Sequence, residues 1–264
     1  MNNYSIFSLL KKEEAKYIID IFENEGAELR FVGGCVRNAI LESKINDLDC
    51  AINIKPESII NILEKKNIKY DDFAKKYGSI KVFLENQKFE ITSLRKDINQ
   101  RGRDTDVIYT NDWEADAKRR DFTFNAIYLK SDGKIKDYFH GLNDLKNSRV
   151  KFIGDIKKRT HEDFLRLFRY YRFLGIFKIP QIISGYDETL SQYIEISLNN
   201  LNNDLIRQEI LKMFNMPYAQ NCFFIDFNSR KKKEWVKITH DYFIKKNYDL
   251  GIKKCLNKID LLFN

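Results

Sequence analysis

Several residue types are scarce in this chain of 264 residues. Its 3 prolines and 11 glycines exclude collagen-like and Pro/Gly-rich disordered chains. The 4 cysteines form no CxxC pair and the 3 histidines no HxxxH pair, so common zinc-site spacings are absent. No apolar run approaches the roughly 18 residues of a membrane span, and the polar N-terminus lacks a signal-peptide pattern. We therefore expect a cytoplasmic protein with reduced thiols and no membrane partner.

Positive charge, in contrast, is in excess. Lys and Arg total 46 and Asp and Glu total 38, which gives a net charge of +8. Such an excess attracts polyanions and makes nucleic acid a candidate partner. Many soluble proteins are mildly basic, however, so the composition alone leaves the partner open.

Hydrophobic periodicity divides the chain into two halves. The N-terminal half alternates helices and strands: a helix over 8–26, strands at 29–32, 46–52, 79–84 and 89–94, and helices at 35–41 and 56–63. Residues 95–112 are charged and predict a mobile loop. Helices dominate from about 113, and the clearest one runs over 160–177. We expect an α+β fold with a head at 1–150 that holds a small mixed sheet, followed by an all-α region at 151–264.

The first chemical constellation surrounds a pair of aspartates. Asp47 and Asp49 are two apart on a predicted strand, so their carboxylates point to the same face. They repel unless protonated or bridged by a cation, and Mg²⁺ suits carboxylate oxygens together with substrate phosphates. The turn Gly33-Gly34 before a helix lets backbone N–H groups approach an anion, and Arg37 adds a cation. Together these residues predict a metal–triphosphate site; a solvated strand end is the alternative for the Asp-x-Asp pattern alone.

Four further polar residues are candidates beside that site. Glu90 lies mid-strand and is either a third carboxylate of the site or an outward-facing polar residue. Asp121 and Asn125 are four apart, so on a helix they share a face that could bind a ribose hydroxyl. Arg120, in the same segment, suits a phosphate, although a basic cluster of this kind is often a solvated surface.

A third constellation, Asp163 and Arg166, lies in the clearest predicted helix. At a spacing of i, i+3 the two side chains are adjacent on one face. A carboxylate only accepts hydrogen bonds and a guanidinium only donates them. Cytosine and adenine each present an amino donor beside a ring-nitrogen acceptor, whereas uracil and guanine present the reverse. The pair therefore predicts selection of C and A, with an ordinary surface ion pair as the alternative.

Taken in order, these segments resemble the motifs of the class II tRNA nucleotidyltransferase and bacterial poly(A) polymerase family, within the polymerase-β-type nucleotidyltransferases. Residues 29–52 resemble its motif A, 119–126 its motif B, 137–145 its motif C and 162–173 its motif D. A weaker likeness at 205–210 extends the resemblance over about residues 29–215. It implies a catalytic head and a helical neck and body, and it adds Arg169 to the nucleotide-binding residues.

The resemblance also has departures. The family usually has Asp where this chain has Asn38, and the first of two usual glycines is His140 here. Family members usually run well past 264 residues, so we expect the parts that hold tRNA to be short. Residues 95–112 keep a loop that CC-adding members lack, which favours addition of the complete CCA end.

The resemblance therefore implies a template-independent, Mg²⁺-dependent enzyme that adds C, C and A to the tRNA 3′ end from CTP and ATP. Asp47, Asp49 and Glu90 would form the catalytic set, with the metal on the two aspartates. The alternatives are a CC-adding or A-adding enzyme, a poly(A) polymerase, and a catalytically silent tRNA-binding remnant. The last of these would bind tRNA in a salt-sensitive manner and incorporate nothing.

Overall fold

The computed structural model describes residues 7–45, 47–85, 87–101, 104–245 and 250–262. They form two compact units, one ending at Asn143 and one beginning at Asp144. Among the described residues no helix is long and apolar enough to cross a membrane.

The first unit combines helices with a sheet. Its helices are α1 (Phe7–Lys11), α2 (Glu13–Glu23), α3 (Gly34–Ile40), α4 (Pro56–Lys65) and α5 (Trp113–Arg119), and α6 (Gly141–Lys146) begins at its end. Its strands are β1 (Leu29–Val32), β2 (Leu48–Ile52), β3 (Lys69–Asp71), β4 (Ser79–Leu84), β5 (Gln87–Ser93), β6 (Arg95–Arg101), β7 (Asp104–Tyr109), β8 (Ile127–Lys130) and β9 (Ile135–Asp137). Single 3₁₀ turns occupy Lys75–Tyr77 and Thr123–Asn125.

Seven of these strands form one mixed sheet in the order β3-β4-β5-β2-β1-β8-β9. Strands β2 and β5 are parallel, with Asp49 opposite Glu90, and the other described neighbours are antiparallel. All four residues of β1 are buried, which fits a strand in the interior of a covered sheet. The expected small mixed sheet is therefore confirmed, and its register brings the two carboxylates onto adjacent strands.

Helices α2 and α4 bury one face each, as the periodicity predicted. Ile18 and Phe22 of α2 are fully buried, as are Ile59 and Leu63 of α4. Helix α4 begins with a proline, whose missing N–H costs nothing in the first turn. Both helices thus form because an apolar stripe at helical spacing covers the core.

The second unit is almost entirely helical. Its helices are α7 (Ile156–Glu162), α8 (Leu165–Leu174), α9 (Tyr186–Ser191), α10 (Ile194–Asn200), α11 (Asn203–Phe214), α12 (Gln220–Phe223), α13 (Glu234–Lys245) and α14 (Leu250–Leu262). A two-stranded ribbon, β10 (Phe224–Asp226) with β11 (Lys231–Lys232), interrupts them. The expectation of an all-α region is right except for this ribbon.

Three expectations for individual elements are wrong. Residues 95–112 are not simply a loop, because β6 and β7 pair as a two-stranded sheet whose backbone hydrogen bonds need no apolar stripe. The predicted helix over 8–26 is interrupted at Lys12, which has an extended backbone. The predicted helix over 160–177 is broken at residues 163–164 into α7 and α8.

Candidate active site

The carboxylates meet where β2 begins. Asp47 is exposed just before the strand, and Asp49 is half-buried within it. Burial, and then the negative charge of Glu90 on the adjacent strand, raise the pKa of Asp49 to about 6. Asp47 contributes in the same direction, while Arg120 and Arg37 oppose it. The folded chain thus concentrates negative charge that a cation would relieve.

These carboxylates suit a hard divalent cation bound together with a substrate. Two of them, Asp47 and Asp49, are the number that Mg²⁺ commonly takes from protein when phosphates supply other ligands. Within the described part of the chain, no group of three or more His, Cys, Asp or Glu residues is arranged to hold a metal. Glu90 instead accepts a hydrogen bond from Ser79 Oγ at 2.8 Å, so it acts on Asp49 through its charge.

The Gly33-Gly34 turn lies directly against this acidic group. Gly33 has a φ of +76°, a conformation that favours glycine. A Cβ there would lie 3.5 Å from Asp49 Oδ2 and 3.8 Å from Arg120 Nη1. A Cβ on Gly34 would lie 3.7 Å from Arg37 Nη2 and 3.9 Å from Asp49 Oδ2. One carboxylate and two guanidinium groups therefore converge on the predicted turn.

Arg37 is connected to the second motif by an amide relay. Its Nη1 donates to Asn125 Oδ1 at 2.6 Å, and Asn125 Nδ2 donates to Asp121 Oδ1 at 2.9 Å. Asp121 Oδ1 also accepts from the backbone N–H of Phe122 at 2.8 Å. The expected helix is absent here, since Asn125 ends a 3₁₀ turn. The 3₁₀ turn nevertheless brings the Asp121 and Asn125 side chains into direct contact.

Arg120 is held by two buried partners that the sequence analysis missed. Its Nη2 donates to Asp116 Oδ2 at 3.1 Å and its Nε to Tyr128 Oη at 3.2 Å. Asp116 is fully buried and also accepts from Tyr128 and Arg119. Burial alone would raise the pKa of Asp116, but the two arginines hold it well below its usual range. The i, i+4 spacing of Asp116 and Arg120 was the available signal.

In the second unit, Asp163 and Arg166 have separate partners. Asp163 lies at the break after α7, where its Oδ1 accepts from the backbone N–H of Leu165 at 2.9 Å. Arg166 is buried in α8 and donates to Glu162 Oε2 at 2.7 Å and to the backbone carbonyl of Arg159 at 2.9 Å. The expected shared helix face is therefore wrong, because Asp163 has an extended backbone at the break between α7 and α8 and lies in neither helix.

Two neighbouring arginines lie further along α8. The guanidinium of Arg169 lies 5.5 Å from the ring centre of Phe173. Arg172 Nε donates to Glu209 Oε2 of α11 at 2.7 Å. Glu209 is buried, and Arg172 and Lys212 hold its pKa below the usual value against the opposing effect of burial. The weak motif at 205–210 thus supplies the carboxylate that ties α11 to α8.

Comparisons with known proteins agree on one class of fold, the polymerase head. Residues 29–151 match the family model of the Poly A polymerase head domain. The structure is similar to that of the Bacillus stearothermophilus CCA-adding enzyme in complex with CTP, with a TM-score of 0.71, 28% identity, and coverage of 80% of this chain and 50% of that one.

Sequence relatives cover parts of this chain and carry closely related names. Human mitochondrial CCA tRNA nucleotidyltransferase 1 is 40% identical over 170 residues, which are 64% of this chain and 39% of that protein. The Enterococcus faecalis CCA-adding enzyme is 35% identical over 207 residues, 76% of this chain and 48% of that one. The chain is thus similar, over these segments, to members of the class II CCA-adding enzyme and bacterial poly(A) polymerase family, and it spans about half or less of these relatives' length.

Proposed function

We propose that this chain is a template-independent tRNA nucleotidyltransferase that adds C, C and A to the 3′ end from CTP and ATP. The observation that carries the proposal is the convergence of Asp49, Arg37 and Arg120 on the Gly33-Gly34 turn. An acidic group beside two guanidinium groups is what a metal–triphosphate complex requires. The names of the relatives support the choice of tRNA as acceptor.

Asp47 and Asp49 are the residues that would hold the metal, which we propose to be Mg²⁺. When bound, such an ion polarises phosphoryl oxygens and lowers the pKa of an attacking hydroxyl. Glu90 completes the catalytic set by keeping negative charge beside Asp49. The chain's own contribution is to place these carboxylates at one end of two parallel strands.

The nucleotide is held by the positive side of the site. Arg37 and Arg120 bind the triphosphate, and Gly33 and Gly34 let it approach the backbone because they lack a Cβ. Asp121 accepts a hydrogen bond from the ribose. Its orientation is set by the N–H groups of Asn125 and Phe122.

In the second unit, Asp163 and Arg166 select the base. Each is oriented by its own partners, Leu165 N–H for Asp163 and Glu162 for Arg166. An acceptor beside a donor complements cytosine and adenine and leaves uracil and guanine with unpaired polar groups. Arg169 contributes further positive charge for the nucleotide.

Incubation with a tRNA that ends at the discriminator base tests the proposal. With CTP alone we expect two added residues, and with CTP and ATP a C-C-A end, both lost when Mg²⁺ is omitted. Tight tRNA binding without incorporation would indicate a silent remnant, and long adenosine tails would indicate a poly(A) polymerase. A matched inactive control is the Asp47→Asn, Asp49→Asn double variant.

A CC-adding enzyme is the second candidate, and the β6–β7 ribbon counts against it. The resemblance implies that CC-adding members lack this segment, whereas here β6 pairs with β7. Deletion of residues 98–106 should therefore spare C addition and impair A addition. Equal loss of both would remove this segment from the account of specificity.

A further inference from the structure

Asn38 lies between two partners of opposite hydrogen-bonding character. Its Oδ1 accepts from Arg37 Nε at 3.1 Å and from Arg37 Nη2 at 2.9 Å. Its Nδ2 donates to the backbone carbonyl of Lys44 at 2.8 Å. A guanidinium only donates and a carbonyl only accepts, so the partners themselves fix which end of the amide points where.

This amide decides where the charge of Arg37 lies. Asn38 takes the Nε and Nη2 edge of the guanidinium, while Asn125 takes Nη1. A planar fork held on two edges loses most of its freedom. The held group has its Nη2 beside Gly34, at the same turn as the Asp49 carboxylate.

Asn38 also holds the chain segment that leads to the first aspartate. Its backbone carbonyl accepts from Ser43 N at 2.8 Å while its side chain binds Lys44. Within that turn Glu42 has a φ of +53°, a conformation that ordinary residues rarely adopt. Two anchors from one residue therefore keep this turn in place, three residues before Asp47.

We infer that Asn38 is a positioning residue that orients Arg37 toward the nucleotide triphosphate, an inference that rests on the proposed function. A carboxylate at this position would still accept from Arg37 but could not donate to Lys44, and its oxygen would face the carbonyl. It would also neutralise Arg37. The neutral amide leaves the full positive charge for phosphate, and it fits this chain better than the aspartate usual in the family.

Two substitutions test this, with CTP affinity measured by calorimetry and with separate kcat and KM for C addition. Asn38→Ala and Asn38→Asp should each raise the Kd and KM for CTP about tenfold. The alanine removes a hydrogen bond to the charged Arg37, and the aspartate compensates the charge of Arg37. The kcat should change less than threefold. Asn111→Asp makes the same chemical change at an exposed residue of the same unit and should leave all three constants unchanged.

A double-mutant cycle separates positioning from a merely structural role. If Asn38 acts through Arg37, Asn38→Ala should add less than twofold to the Kd of an Arg37→Gln variant. An equal effect in both backgrounds, or an Asn38→Asp variant that binds CTP as tightly as the unaltered chain, would overturn the inference. If Asn38→Ala fails to fold, Asn38→Asp, which retains the acceptor, decides the matter.

Different results would contradict the proposed function and the positioning role of Asn38. If the unaltered chain incorporates no nucleotide into tRNA, the proposed function is wrong. The CTP-binding measurements would still test whether Asn38 orients Arg37. If incorporation occurs and the Asn38 variants bind CTP normally, the proposed function stands and the positioning role is wrong.

Discussion

The two units hold their candidate functional side chains in different ways. In the first unit these side chains hold one another, from Arg37 through Asn125 to Asp121. In the second unit, Asp163 and Arg166 are oriented by separate neighbours: the Leu165 N–H for Asp163, and Glu162 with the Arg159 carbonyl for Arg166. In a hydrogen-bonded network, a substitution at one residue changes the effect of a substitution at another. Residues with separate partners show nearly additive effects. The comparison therefore predicts coupled effects in the head and nearly independent ones in the second unit.

The largest effect is expected at Asp49. Asp49→Asn should lower nucleotide incorporation by about a thousandfold or more, since a charged ligand to the metal is lost. The thermal midpoint should stay the same or rise, because burial and Glu90 raise the pKa of Asp49 and the amide removes that repulsion. Single-turnover incorporation and calorimetric unfolding measure the two quantities. Asp72→Asn, at an exposed residue, is the control, and a variant that keeps its activity would refute the metal site.

The next effect is on base selection in the second unit. Arg166→Ala and Asp163→Ala should each lower the kcat/KM preference for CTP over UTP at least about tenfold, since either loss removes part of the hydrogen-bonding pattern. Because the two side chains have separate partners, the double variant should approach the product of the single effects. Arg207→Ala, at an exposed arginine of the same unit, should leave the preference intact. Undiminished rejection of UTP and GTP would show that another group reads the base.

A third effect concerns stability in the head. Asp116→Asn should lower the free energy of unfolding by about 3 kcal/mol at pH 7, because Arg119 and Arg120 lose a buried partner. The pKa of Asp116 is depressed on folding, so its stabilisation is complete above the unfolded-state pKa of about 3.9 and fades as the pH falls below it. When urea unfolding is measured at pH 7 and again below pH 4, the free energy of unfolding should therefore fall less for the variant than for the unaltered chain. An equal fall in the free energy of unfolding for both proteins would contradict a stabilising role for ionised Asp116.

The smallest effect is expected at Glu162. This residue is partly exposed, and Arg166 keeps the Arg159 carbonyl when Glu162 is changed. Glu162→Gln should therefore reduce discrimination between CTP and UTP only about threefold, in line with a partly solvated ion pair. Competition assays with mixed nucleotides would resolve this. An effect as large as that of Arg166→Ala would mean that the pair behaves as a coupled unit like the head.

Local patterns predicted most of the head. The strand 29–32, the Gly33-Gly34 turn and the β4–β5 hairpin follow from apolar spacing and turn residues, and the structure has them near the predicted bounds. The convergence of Arg37 and Arg120 on the turn was harder to predict from the sequence, because it depends on the long-range pairing of β1 with β8. The helix expected to place Asp121 and Asn125 on one face is absent, but a 3₁₀ turn brings their side chains together.

The failures have a common physical cause. Asp163 carries no signal in the apolar pattern, but its side chain captures the Leu165 N–H and so ends one helix and starts another. Strands β6 and β7 pair through backbone hydrogen bonds, which a hydropathy pattern does not register. Asp116 was overlooked because its role depends on the burial of Tyr128 beside it. The features that could not be predicted from the sequence are therefore those that polar contacts, and not a pattern of apolar residues, hold in place.

Sequencing the products formed on a tRNA that ends at its discriminator base tests the central claim most directly. The account predicts that the chain, supplied with CTP, ATP and Mg²⁺, yields molecules ending in C-C-A, and that the Asp49→Asn variant yields none. Unextended tRNA from the unaltered chain, or equal products from both proteins, would contradict the claim that the acidic group at the Gly33-Gly34 turn is a nucleotidyltransferase site.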